Sequence, residues 1–228
     1  MILASHQPDF IPYMGFFWKV MKCDVLVFSD DVQFSKSGMH NWNRIKSTTG
    51  AKKITVPVHA HHDTPICDVM IADVQHSLKT AIKTIEQNYS KAAHYREGRE
   101  LLDLWDSYSK CRELSMMELN LNSILLMMER FDIWPKRMML ASGLQIRGHK
   151  DERIFQMCYK TGADTYLSGH GAAVYHQPAE YEKRKIRLLY TDYQPISYPQ
   201  LYGEFVPNLS ALDYVFNCGF ELPRGWQR

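Results

Sequence analysis

A short apolar strand, a helix and a second apolar strand open the chain, and strand–helix alternation returns near its end. Together these predict an α/β fold built on a mostly parallel, Rossmann-like sheet. A run of amphipathic segments between the two regions adds a helical insertion. MILAS (1–5) and DVLVFS (24–29) are short, apolar and bounded by polar residues, as buried strands are. GFFWKVMK between them makes a helix of about two turns. Residues 30–50 read as a polar loop ending at the strand KITVPV, which Pro57 and the histidines after it stop. CDVMIAD (67–73) reads as a further strand.

The pattern then becomes helical. Leu78, Ile82, Ile85 and Tyr89 share one face, ELLDLWDSY is a second amphipathic segment, and Leu114, Met117, Leu121, Ile124 and Met128 form a long packing stripe. Residues 77–132 are therefore expected to form a helical block within a single α/β domain spanning 1–228. Farther on, MMLASGLQI suggests a strand and a turn. DERIFQMCYKTG suggests a helix with Asp151 near its start and Gly162 just past its end. DTYLSGHGAAVY reads as strand, glycine turn and helix, and IRLLYTDY as another strand.

Composition narrows the function classes. Hydrophobic residues make up 45% of the 228 residues, which excludes a disordered chain. A net charge of +2 does not by itself point to nucleic acid or a membrane surface, and the run EKRKIR is short enough to be a solvated face. Cys23, Cys67, Cys111, Cys158 and Cys218 form no CxxC pair, as expected in a reducing compartment. No apolar run approaches about 18 residues and no signal-like start is present, so a cytoplasmic protein without membrane insertion is expected.

Three stretches carry candidate chemistry. In HQPDFIPYMGFF, His6 and Gln7 fall at the carboxyl end of the first strand, where parallel sheets collect ligands. His6 suits either a general base or a donor to phosphate; the alternative is a histidine that caps a turn. Tyr13 follows in the same loop. In the second stretch, Asp30 and Asp31 end a strand, with Gln33, Asn43, Arg44 and Lys46 after them. The cations offset the paired acids or hold an anionic substrate; the alternative is a structural ion pair. The third, Ser168-Gly169-His170-Gly171, lets backbone N–H groups approach a ligand where a strand turns toward a helix; the alternative is a plain tight turn. It matches neither a P-loop nor a dinucleotide fingerprint, and Ser168 lacks the flanks of a G-x-S-x-G elbow. HAHHD (59–63) places two imidazoles on one face but shows no third ligand, so no metal is expected.

These stretches, in this order, resemble the WbqC-like family. The resemblance rests on HQPDFIPYMGFFWK, DVLVFSDDVQFSK, NWNRIK and TVPV, then ERI, GADTYLSG and YPQLYGEFVPNLSALDYVFNCG, nearly the full length. It places His6, Gln7, Asp30, Asp31, Gln33, Asn43, Arg44, Lys46, Ser168, Gly169, Asn208 and Asn217 on family motif positions. It implies an association with O-antigen and related surface-sugar synthesis, and some members are described as glycine transferases. The chain departs from the family pattern at HGAAVY after YLSG and at HAHHD after TVPV.

The expected function is a transferase that forms an amide. An aminoacyl or acyl group moves from an activated donor, such as a carrier-protein phosphopantetheine thioester or an aminoacyl ester including aminoacyl-tRNA, to an amine acceptor. An amino-sugar nucleotide is one such acceptor, in surface-polysaccharide or specialised-metabolite biosynthesis. His6, Asp30, Asp31 and Ser168 are the catalytic candidates. Gln7, Tyr13, Gln33, Asn43, Arg44, Lys46, Gly169, His170, Gly171 and Asn208 are the binding candidates, and no resident cofactor is expected. The alternatives are a nucleotidylyltransferase-like enzyme, for which a second histidine near the first helix is missing, and a non-catalytic binding protein.

Overall fold

A computed structural model describes residues 1–226. Strands β1 (Ile2–His6), β2 (Val25–Phe28), β7 (Arg137–Leu140), β8 (Thr165–Ser168) and β9 (Arg187–Tyr190) form one sheet in the order β7-β2-β1-β8-β9. Every neighbouring pair in it is parallel. The chain leaves β1 through helix α1 (Met14–Met21) to reach β2 on one side. It later crosses to the other side of β1 through α5 (Ala141–Leu144) and α6 (Asp151–Thr161), and α7 (Pro178–Lys183) links β8 to β9. The winding direction thus reverses between β1 and β8, where the carboxyl ends of an open parallel sheet leave a crevice.

Side chains alternate across the sheet as its pleat requires. Ala4, Leu26, Phe28 and Leu167 join the large core under α1, whereas Leu3, Val25, Val27 and Tyr166 join a smaller core with Phe155, Met157, Cys158 and Tyr181. The large core also takes in α2 (Val74–Tyr89), α3 (Tyr95–Tyr108), α4 (Met116–Arg130) and α8 (Ala211–Cys218). Its centre is Trp105, fully buried, whose indole N–H donates to Ser123 Oγ at 2.9 Å. The stripe Leu78, Ile82, Ile85 and Tyr89 is the buried face of α2. By contrast, α4 buries Met116, Leu119, Ile124, Met127 and Met128, so Met117 and Leu121 of the expected stripe lie at its margin and Leu114 precedes the helix.

The structure corrects three local expectations. Residues 30–50 are not all loop, because Trp42–Ser47 forms strand β3, paired antiparallel with β4 (Gly50–Thr55) in a separate hairpin. KITVPV therefore contributes to that hairpin and not to the parallel sheet. β3 read as polar because Asn43 and Lys46 are buried through individual hydrogen bonds, which a hydrophobicity pattern does not register. CDVMIAD supplies only Met70–Ile71, strand β6, against β5 (Val58–His59). HGAAVY is a 3₁₀ helix, His170–Tyr175, that buries none of its residues.

Candidate active site

A cavity of about 350 Å³ opens at the β1/β8 crevice, lined among others by His6, Asp9, Tyr13, Lys19, Ser168 and Thr191. β1 ends at His6, and the loop after it is held hard. Asn43 Nδ2 donates to the carbonyls of Phe10 (2.9 Å) and Ile11 (2.7 Å), and Asn120 Nδ2 on α4 donates to that of Pro8 (2.7 Å). Ile11 has a φ of 45°, a strained value for a β-branched residue that needs such external fixing. Pro12 and Tyr13 then lead into α1. The Tyr13 ring lies over Gly15, where an added Cβ would stand 2.2 Å from it and push the ring aside.

Four titratable groups meet at this wall. Lys19 reaches back from α1 to donate to Ser5 O and to His6 Nδ1, both at 2.9 Å. An ammonium only donates, so His6 Nδ1 accepts and Nε2 carries the ring proton. That Nε2 stands 3.2 Å from Asp9 Oδ2, and His40 Nδ1 stands 3.2 Å from Asp9 Oδ1. Neither contact is aligned as a hydrogen bond, which leaves His6 Nε2, Asp9 Oδ1 and His40 Nδ1 buried and facing one another without one. Burial and the Lys19 charge lower the pKa of His6, so the ring is neutral at pH 7. Burial also brings Lys19 down to about 8. Burial opposes the Asp9 charge, but the two imidazoles outweigh it and hold the carboxyl well below the usual range.

The opposite wall is the end of β8. Ser168 Oγ is 2.8 Å from His176 Nε2, and His176 Nδ1 is 2.6 Å from Asp151 Oδ1. A carboxylate only accepts, so His176 Nδ1 carries the proton and Nε2 is an acceptor for the serine hydroxyl, whose other contact is the Gly169 carbonyl at 3.2 Å. Asp151 also accepts from the Gln177 backbone N–H and the Tyr181 hydroxyl, both at 2.9 Å. Burial works against its charge, yet these bonds, led by that from His176, hold the Asp151 carboxyl below its ordinary value.

The sequence-predicted residues divide cleanly. His6, Gln7, Tyr13, Ser168, Gly169 and Gly171 line the cavity, and His170 is exposed and stacks on Tyr190. Asp30 does not reach it: the carboxylate is fully buried and accepts from the Ser142 N–H and hydroxyl, capping α5. Asp31 pairs with Arg153 on α6. Gln33 is exposed in a bridge to Pro65, Asn43 fixes the site loop, and the Arg44 carbonyl accepts from Ser210 N–H. Lys46 is buried and donates to the Glu204 carbonyl, Asn208 is exposed, and Asn217 Nδ2 donates to the Asp213 carbonyl. Sequence reasoning missed Asp9, Lys19, His40, His176 and Asp151 as site residues. Asp151 stood out as a helix start, and His176 followed Ser168 in the same strand–turn segment, which was the available signal.

Two other chemistries find little here. Burial pushes the thiols of Cys23 and Cys158 up to about 12, so neither is a thiolate at neutral pH. In HAHHD, His62 pairs with exposed Asp63, and among the described residues no three His, Cys, Asp or Glu side chains are grouped to hold a metal. No helix of the described residues is long and apolar enough to cross a membrane.

The model of the WbqC-like protein family matches residues 7–224. The chain belongs to the WbqC-like protein family. This WbqC-like protein is also 30% identical, over 97% of its own length and 95% of the relative's, to the uncharacterized protein Rv1507c of Mycobacterium tuberculosis. No solved structure matches it. The family match spans both walls of the cavity, of whose lining only Ser5 and His6 precede it.

Proposed function

We propose that this WbqC-like protein is a cytoplasmic transferase that joins an aminoacyl or acyl group, delivered as a carrier thioester or aminoacyl ester, to an amine such as that of an amino-sugar nucleotide. The observation that carries the reading is the charge balance of the crevice: one buried ammonium, Lys19, and one buried carboxylate, Asp9, separated by neutral His6. An aminoacyl group fits such a site. Its ammonium matches Asp9, and its carbonyl, which gains negative charge as a tetrahedral centre forms, matches Lys19 and backbone donors beside Gly169 and Gly171. A triphosphate fits poorly, because Arg44 and Lys46 bind elsewhere and leave Lys19 as the cation at this wall. That supports acyl transfer over nucleotidyl transfer.

His6 belongs to the binding wall in this reading. Lys19 donates to His6 Nδ1 and Asp9 faces His6 Nε2, so the task of the imidazole is to hold those two charges in place on either side of the ring. The cavity accommodates the reacting ends, and the remainder of a nucleotide sugar or carrier arm lies outside it. The family's association with surface-sugar genes supports the acceptor class.

The test combines binding and turnover. Glycyl-carrier, glycyl-tRNA, sugar nucleotides and ATP are screened by thermal shift, and the stabilising pair is then assayed for amide formation by mass spectrometry. A donor and an amine acceptor that each raise Tm and together give an amide are expected. Stabilisation by ATP alone, with nucleotidyl product, would overturn the assignment.

A further inference from the structure

We infer that Ser168 is a nucleophile that carries the acyl group as a covalent ester, with His176 as its base and Asp151 as the residue that positions His176. The inference rests on the transfer reading above and deepens it. Its geometry is independent of the His6 wall: Ser168 Oγ to His176 Nε2 at 2.8 Å, His176 Nδ1 to Asp151 Oδ1 at 2.6 Å. The order of donors fixes the tautomer that a serine nucleophile needs. Asp151 is itself anchored by Tyr181 and the Gln177 N–H, so the imidazole has one orientation.

A purely structural hydrogen-bond chain at this place would not need to end in a cavity, and this one does. Ser168 lines the cavity, while the imidazole and carboxylate behind it are shielded, with side chains 4% and 14% exposed. Gly169 and Gly171 follow the serine and line the same cavity, and an added Cβ at either would meet nothing within 4 Å, which leaves room beside the hydroxyl for an acyl group. Ser168 itself is only 1% exposed, and the 3₁₀ helix that follows it in the chain buries none of its own residues, including Val174 and Tyr175. A segment with so little packing opens at low cost and admits the donor.

The steps balance without a further reactant. Ser168 Oγ attacks the carbonyl carbon of the thioester or ester while its proton passes to His176 Nε2. The carbon–sulfur or carbon–oxygen bond breaks, and the leaving thiol or alcohol takes that proton. The neutral acceptor amine then attacks acyl-Ser168, His176 removes a proton from the attacking nitrogen, and returns it to Ser168 Oγ as the ester bond breaks. The products are the amide and the free serine.

The test treats the full chain with a fluorophosphonate and, separately, with p-nitrophenyl acetate, and locates adducts by intact mass and peptide mapping. Phosphonylation and acetylation at Ser168 are expected. His176→Ala should slow labelling by about 100-fold or more. Asp151→Asn should shift the pH profile of labelling without abolishing folding, which a merely structural role would not do. Labelling that misses Ser168 in the wild-type protein overturns the inference even if Ser168→Ala fails to fold. Amide formation that persists in Ser168→Ala overturns it while leaving the transfer reading intact. An acyl-Ser168 that reacts only with water upholds it while the transfer reading fails.

Discussion

Gly169 and Gly171 carry neither a positive φ nor a close neighbour, so nothing in the fold itself demands glycine at either position. What an added methyl would occupy is the cavity. Gly171→Ala is therefore expected to leave Tm unchanged and, on the transfer reading proposed above, to weaken binding of the aminoacyl donor at least about tenfold, since a methyl group there would displace ligand atoms at packing distance. Isothermal titration beside a melting curve decides it; equal affinity would place the donor elsewhere. Lys19 gives a second residue-scale expectation. With its pKa near 8 in the folded protein, its charge is present below that value and lost above it. Donor affinity should thus decline as pH rises through about 8, and Lys19→Met should bind weakly with that decline removed.

At the scale of elements, the site loop after β1 is imposed from outside itself. Asn43 on β3 satisfies two carbonyls of the loop that contains strained Ile11, and Asn120 on α4 satisfies another. Asn43→Ala would leave those buried carbonyls unpartnered, costing about 2–4 kcal/mol, and should lower Tm together with activity. A residue that only touched substrate would lower activity alone, so urea unfolding distinguishes the two roles. The same element explains what the sequence concealed. β1, β2, β8 and β9 were legible because short apolar runs between polar signals have few alternatives. β3 was not, because its buried members include an amide and an amine whose burial depends on partners 32 to 158 residues away. Likewise His6 and Ser168 stood at strand ends and were legible by position. Asp9 and Lys19 carried no reading of their own in the sequence, and Asp30 read as a site acid although it caps α5.

At the scale of the whole molecule, the buried wall makes stability depend on pH in a direction that can be worked out group by group. Asp9 is held below its ordinary 3.8, so the stability it contributes is complete above that pH and is lost as pH falls below it. His6 resists protonation when folded, whereas the unfolded chain takes a proton near 6.5, so stability again falls as pH drops through that value. Lys19 binds its proton less tightly in the fold, about 8 against 10.5 unfolded, and stability therefore rises as pH climbs through that window. Asp213, raised by burial, acts oppositely, since its contribution declines as pH rises through its folded value. Tyr89, Tyr193 and Tyr214, all raised, reverse the alkaline gain once unfolded tyrosine ionises near 10. The expected profile is thus acid-labile; between about pH 8 and about pH 9 the Lys19 gain of about 1 kcal/mol is offset by Cys23, Cys67, Cys158 and Cys218, whose raised thiols lose stability as unfolded thiols ionise near 9, and a loss follows above about pH 10. Denaturant midpoints across that range test it. Because the Lys19 contribution belongs to one ammonium, Lys19→Met should lose about 1 kcal/mol more than the wild type between about pH 8 and about pH 9 while keeping both outer limbs. A variant whose profile in that window paralleled the wild type would show that Lys19 is not the group whose burial is being relieved.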